Sequence, residues 1–328
     1  MYKKKILSTS LINTAVLLIV FNRPDTTIQS LNAIRKAKPQ RLYIAGDGPR
    51  NKTKSEIEKI NKVRQIVKNI DWPCEVKTLF RDKNLGCKKG VSSAITWFFE
   101  HEDKGIIIED DCLPNLEFFT FCENLLIHYA NDDRISLITG DNFQRGYLRG
   151  NDSYYFSKYC HCWGWATWRR SWINFQDNIP FWPEWSKSKA WLNYLPDKVE
   201  RKYWQNIFER VYLNQIDSWA YPWTCCNWKL GKISIAPNVN LVKNIGFGRE
   251  DATHTKSGKH PSSNLKTFSI NGIKHPKKVQ RNLEADTFDF NYHFEGKNLR
   301  FPYFIVTFIK KLIYSVLKIS KKINYLGK

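Results

Sequence analysis

The run Gly105-Ile106-Ile107-Ile108-Glu109-Asp110-Asp111-Cys112-Leu113-Pro114 does most to limit what this chain can become. A short, wholly apolar stretch opened by Gly and closed by Pro reads as a central strand of a parallel sheet, buried on both faces. Open α/β sheets bind their ligands at the carboxyl ends of the strands, which is where three consecutive acids emerge here. Adjacent carboxylates are costly unless a cation neutralises them, and their hard oxygens suit Mg²⁺ or Mn²⁺ carrying substrate phosphates. A metal-diphosphate site is therefore one reading of Glu109-Asp110-Asp111, and a solvated acidic turn is the other.

The flanking sequence repeats the strand-then-helix pattern. Thr14 to Phe21 reads as a buried strand ending at Asn22-Arg23-Pro24-Asp25, with Asp25 placed to cap a helix that turns Ile28, Leu31 and Ile34 inward. Arg41 to Ala45 is a second strand, broken by Gly46-Asp47-Gly48-Pro49. The helix from about Ser55 carries Ile57, Ile60, Val63, Val67 and Ile70 as its inward stripe. Cys74 to Phe80 is a third strand, leading through Arg81-Asp82-Lys83-Asn84-Leu85-Gly86 to a helix with Val91, Ala94, Ile95 and Phe98 inward. A helix from Asn115 to Ala130 follows the acidic triplet, and Ile135 to Thr139 is a further strand. Four such units with short loops predict an α/β fold with a mostly parallel central sheet flanked by helices. Neither a Gly-x-Gly-x-x-Gly turn nor a phosphate-binding lysine loop follows the first strand, so a nucleotide would be held by another device.

The formal charge of +21 suits phosphorylated ligands, anionic membranes or nucleic acid. No helix-turn-helix, RNA-binding or zinc-finger pattern accompanies it, which disfavours nucleic acid. The eight cysteines lack zinc-ligand spacing, and Cys160-His161-Cys162 has no partner pair, so they read as buried thiols. With no signal peptide, a reducing cytoplasm is the default expectation. The apolar stretch from Thr14 to Phe21 is too short to span a bilayer.

Beyond Thr139 the character changes. Thirteen Trp and fifteen Tyr cluster largely between Tyr154 and Trp228. Most of these rings read as core, although Gly164 between two Trp suggests close backbone approach, and aromatic walls commonly hold sugars. A helix is predicted from Lys198 to about Asn214, then Asp217-Ser218-Trp219, and a short strand from Ile233 to Ala236. Residues 256–300 read as a basic linker. From Phe301 onward Ile305, Phe308, Leu312, Val316, Ile319 and Ile323 form an apolar stripe flanked by lysines. This basic amphipathic tail, 301–328, fits either the surface of an anionic membrane or its own domain.

Taken in order, Phe21-Asn22-Arg23-Pro24, Asn84-Leu85-Gly86, Glu109-Asp110-Asp111, Trp163-Gly164-Trp165-Ala166-Thr167-Trp168, Asp217-Ser218-Trp219 and Asn244-Ile245-Gly246-Phe247-Gly248 with His254 resemble a family-2-like glycosyltransferase. The fold implied is the A-type (GT-A) nucleotide-diphospho-sugar transferase fold, over residues 1–255. The triplet is also similar to that of the N-acetylglucosaminyltransferases. The resemblance implies an inverting sugar transfer from a nucleoside-diphosphate donor, a UDP-sugar by preference, to a saccharide or lipid-linked acceptor in bacterial surface-polysaccharide synthesis. It implies Asp111 as ligand to Mn²⁺ or Mg²⁺, with His254 as a further ligand or diphosphate contact. Asp110 would face the donor beside Glu109. Phe21, Asn22, Arg23 and Asp47 would line the nucleotide-base pocket, with Arg81 nearby, and Asp217 would be the general base. The triplet departs from the strict Asp-x-Asp pattern, which leaves the division of labour among its acids open. Such an enzyme would work in the cytoplasm, free or peripheral on the inner face of the membrane. Alternatives are a nucleotidyltransferase acting on a sugar phosphate and a non-catalytic module binding membrane surfaces or polyanions.

Overall fold

The computed structural model describes residues 12–51, 53–251, 260 and 262–305. Its strands are β1 (Ala15–Val20), β2 (Arg41–Gly46), β3 (Glu75–Phe80), β4 (Lys104–Glu109), β5 (Cys112–Pro114), β6 (Ile135–Thr139), β7 (Tyr154–Ser157), β8 (Trp165–Trp168), β9 (Ile233–Pro237) and β10 (Val242–Asn244). Its helices are α1 (Pro24–Ala37), α2 (Lys54–Lys68), α3 (Gly86–His101), α4 (Leu116–His128), α5 (Arg169–Trp172), α6 (Trp182–Trp185), α7 (Lys189–Tyr194), α8 (Lys198–Tyr212), α9 (Ala220–Lys229) and α10 (Leu283–Tyr292), with a 3₁₀ turn at Gly296–Leu299.

Eight strands form one sheet in the order β3-β2-β1-β4-β8-β6-β9-β7, and β5 pairs with β10 in a separate ribbon. The first four are parallel, as the repeated βα units predict. The α/β architecture expected from the sequence, a mostly parallel central sheet flanked by helices, is the one observed. Ile106 and Ile108 pack with α1, α2 and α4 on one face, and Ile107 packs with α3 on the other, which is why the middle of β4 is three isoleucines in a row. A third cluster gathers Trp182, Trp191, Trp204, Phe208 and Trp228 with Phe290 of α10.

Several details differ from the sequence reading. Trp165–Trp168 is an interior strand, antiparallel to both β4 and β6, with all four residues buried. Gly164, at φ +77°, turns the chain into it, and a Cβ there would lie 2.9 Å from the Val242 side chain. Asp25 does not cap α1: the cap position is Arg23, with Pro24 beginning the helix, and Asp25 pairs instead with Arg249 at 2.6 Å. Ile28 and Ile57 are exposed on the outer faces of their helices. Part of the expected linker is folded, since α10 lies within it. Asn282 caps that helix, and Ala285, Asp289 and Phe290 are fully buried. Its anchors are ionic as well as apolar. Asp286 accepts from Ser157 Oγ at 2.6 Å and from the Lys158 amide at 3.1 Å and pairs with Arg281, while Asp289 accepts from Gln144 and His161. The predicted tail lies outside the described residues beyond Ile305. Among the described residues no helix is long and apolar enough to cross a membrane.

Candidate functional site

Strand register brings most of the predicted residues to one edge. Val20 is level with Gly46, and Gly46 with Phe80, so Phe21, Asp47 and Arg81 follow as adjacent rungs past the ends of β1, β2 and β3. Glu109 is level with Ile19, which sets Asp110 and Asp111 beside Val20 and Phe21. The row is the carboxyl edge where α/β sheets bind ligands.

The triplet is held from three sides. Ser30 of α1 donates to the carbonyls of Asp110 and Cys112 at 3.0 and 2.9 Å, and the Phe21 amide donates to Asp110 Oδ2 at 3.1 Å. Arg23 Nη1 lies 2.9 Å from Asp111 Oδ2 and 3.6 Å from Asp110 Oδ1. From above, the Ile245 amide donates to the Asp111 carbonyl at 2.8 Å. Gly246 comes so close that a Cβ would lie 2.4 Å from Asp111 Oδ2, so a side chain there would push this carboxylate aside.

The arrangement concentrates negative charge in a sheltered place. Burial, then repulsion from Asp111 and Asp110, pushes the Glu109 carboxyl up to about 8. Burial, then Asp111, pushes Asp110 up to about 7, with Arg23 and the Phe21 amide opposing. Arg23 is itself desolvated, yet Asp110, Asp111 and Asp251 together hold its guanidinium above its ordinary value. One arginine thus leaves three acids incompletely neutralised, which is the environment that attracts a second cation. Among the described residues no three His, Cys, Asp or Glu side chains converge to ligate a metal by themselves. A divalent ion shared with substrate phosphates needs only one or two carboxylates, so the donor set fits that kind of site.

These shifts predict a pH signature. A carboxyl whose pKa rises on folding takes up protons, so its burial costs stability as pH rises from the ordinary carboxylate range toward about 8. Without divalent ions the melting midpoint should fall between pH 5 and about 9. The rise in midpoint on adding Mn²⁺ should grow over the same range, because ligation needs ionised acids. Scanning calorimetry at several pH values, with Mn²⁺ or with a chelator, measures both.

A cavity of about 430 Å³ opens beside the triplet. Arg23, Glu109, Asp110 and Asp111 line its acidic end, and Phe143, Trp163, Phe247, His260, His293 and Phe294 its aromatic end. His293 stacks on Phe143 at 3.7 Å, and burial holds its imidazole neutral, well below the ordinary histidine range. Asp141, just past β6, also lines the cavity. Its Oδ2 accepts from Thr139 Oγ1 and the Trp163 amide, whereas its buried Oδ1 has no hydrogen-bond partner. Burial drives this carboxyl well above its usual range. The sequence reading missed Asp141, although Gly140-Asp141-Asn142 directly after a strand was the available signal.

The other predicted residues lie around this centre. Asn22 donates to Glu56 at 3.2 Å, and Phe21 sits under Arg50 at 4.9 Å. Asp47 accepts from the Leu85 amide at 2.8 Å, and Arg81 binds Ser93 Oγ at 2.8 Å, so both brace the start of α3. These four side chains, Phe21, Asn22, Asp47 and Arg81, are not among those lining the cavity. Asp217 is exposed on the cavity rim, between Ile216 and the cavity-lining Ser218. It accepts from the Cys87 and Lys88 amides of α3 at 3.0 and 2.8 Å. Two amide donors leave lone pairs free on its oxygens. His254 lies outside the described residues. His161 of the Cys-His-Cys cluster meets Asp289 at 3.1 Å.

No family model matches the chain, and no curated protein matches its sequence. Among solved structures it is similar to HddC from Yersinia pseudotuberculosis, at TM-score 0.30 and 13% identity over 48% of this chain and 77% of that one. The complex of HddC with GMP-PN gives the same values. S. aureus TarS 1–349 is similar at TM-score 0.34 and 14% identity, over 62% of this chain and 56% of that one.

Proposed function

We propose that the chain is a metal-dependent inverting glycosyltransferase that moves a sugar from a nucleoside-diphosphate donor, a UDP-sugar by preference, to a saccharide or lipid-linked hydroxyl. The observation that carries this reading is the half-buried acidic triplet, short of positive charge, at the carboxyl edge of the sheet and opening on an aromatic-walled cavity. Asp111 would hold Mn²⁺ or Mg²⁺, with His254 as a further ligand; the ion would neutralise the diphosphate as it leaves. Arg23 adds a second positive charge at the same end. Asp110, fixed by the Phe21 amide, faces the donor, and Glu109 sits behind it. The row from Phe21 and Asn22 through Asp47 to Arg81, along the same sheet edge, would receive the base and ribose. Phe143, Trp163 and Phe247 provide faces for sugar rings.

Asp217 is the proposed general base, taking the proton from the acceptor hydroxyl as it attacks the anomeric carbon from the face opposite the diphosphate. Asp217→Asn should lower kcat by about 10² to 10⁴ while leaving donor affinity within a few fold. Rates and donor Kd measured side by side test this, and a loss confined to donor binding would remove Asp217 from the role. Product anomers read by NMR test inversion directly. A nucleotidyltransferase is the second reading. It would want a basic, glycine-rich loop after β1, where this chain has Phe21-Asn22-Arg23-Pro24 running straight into α1. Release of a nucleoside diphosphate favours the first reading, and release of pyrophosphate the second.

A further inference from the structure

A second concavity of about 810 Å³ runs along α8 beside the first. The two share Tyr203 and Tyr221 as lining residues. Ile216 lines the second and Ser218 the first, so Asp217 stands between them. This groove is strongly cationic: Lys198, Lys202 and Arg210 line it, and no acid does.

The charge is segregated by the helix itself. Lys198, Lys202, Asn206 and Arg210 recur every fourth residue and form one exposed ridge of α8. The acids of the same element are turned away. Glu200 is buried against Tyr159 and Lys158, and Glu209 accepts from Trp182 Nε1 at 2.9 Å. Asp197 caps the helix through the Val199 and Glu200 amides and meets Arg300 at 2.8 Å. Lys198, Lys202 and Arg210 form no ion pair among the described residues. Three uncompensated cations along a groove that leads past the proposed base to the sugar cavity are suited to an anion on the incoming substrate.

We infer that this groove binds the phosphate of a phosphorylated saccharide acceptor, holding it so that a sugar hydroxyl reaches Asp217. The inference rests on the transferase reading for the word acceptor, and on the groove alone for the phosphate. A phosphate carries nearly two negative charges at neutral pH against a carboxylate's one, which matches a ridge of several cations. Tyr203 and Tyr221 at the junction offer ring faces for the sugar that carries it.

Titration calorimetry of glucose 6-phosphate into the full chain, at low salt with a chelator present, tests the groove. Wild type should bind it with an affinity that falls as salt rises. The Lys198→Ala/Lys202→Ala/Arg210→Ala variant should bind at least about tenfold more weakly, the sum of three exposed charge contacts. Glucose should not distinguish the two proteins. Circular dichroism checks the fold, and Lys198→Gln/Lys202→Gln replaces the triple variant should that unfold. Equal affinity of wild type and variant for glucose 6-phosphate overturns the proposal. So does a loss seen only with duplex RNA or only with phosphatidylglycerol vesicles. Nucleotide-sugar hydrolysis by wild type reports separately on the transferase reading: its absence, with the phosphosugar result intact, would remove the reaction and leave the anion site.

Discussion

Asp111→Ala is expected to reduce turnover of a nucleotide sugar by at least about 10² to 10³-fold, the usual cost of losing one group that stabilises charge in a transition state. The same substitution should leave the protein no less stable. In the native site Asp111 is the leading electrostatic cause that raises both Glu109 and Asp110, so its removal relieves repulsion in a buried cluster. Arg23 loses its contact at 2.9 Å but keeps Asp110 and Asp251 as partners. A variant that is inactive, melts at or above the wild-type temperature and no longer gains stability from Mn²⁺ is the expected combination. Such an opposition of activity and stability marks a group kept for chemistry. Full activity in the variant, or in wild type with a chelator, would remove the metal role.

The second large effect is structural. Asp286→Ala should destabilise the chain by about 3 to 5 kcal/mol, because it strips the partner from Arg281 and leaves the buried Ser157 hydroxyl and Lys158 amide unsatisfied. That corresponds to a melting midpoint lower by roughly 6 to 15 °C. The consequence reaches the site, since His293, Phe294 and Glu295 follow α10 directly and line the cavity. Thermal melts with and without a nucleoside diphosphate would show the loss. A shift under about 1 kcal/mol would mean that α10 is held by its apolar contacts alone.

The parallel half of the fold was legible in the sequence because β1, β2 and β4 are buried on both faces and each intervening helix shows a one-sided stripe. β4 is the plainest case: Ile106, Ile107 and Ile108 serve two cores at once, and the acids begin where the sheet ends. The antiparallel insertion of β8 was not legible. Trp165, Ala166, Thr167 and Trp168 are all buried, so the segment shows no alternation, and four residues are too few to separate a strand from aromatic core. α10 was hidden for a different reason. Its burial rests on Asp286 and Asp289 held by partners over a hundred residues away, and a pattern read along the chain takes those acids for solvent-facing ones. Within the site, the triplet and Arg23 were found because charge at a strand end is visible locally. The capping of α3 by Asp217 and the orphan oxygen of Asp141 depend on contacts that only folding creates.

The central claim is that the carboxyl edge of β4 holds a nucleoside diphosphate together with a divalent ion. Titration calorimetry of UDP, ADP and GDP into wild type and Asp111→Ala, each in Mn²⁺ and in a chelator, addresses it most directly. The account predicts that at least one diphosphate binds wild type in Mn²⁺ and weakens at least about tenfold both on chelation and on Asp111→Ala. Binding of equal strength in all of these conditions, or no binding in any, would contradict it.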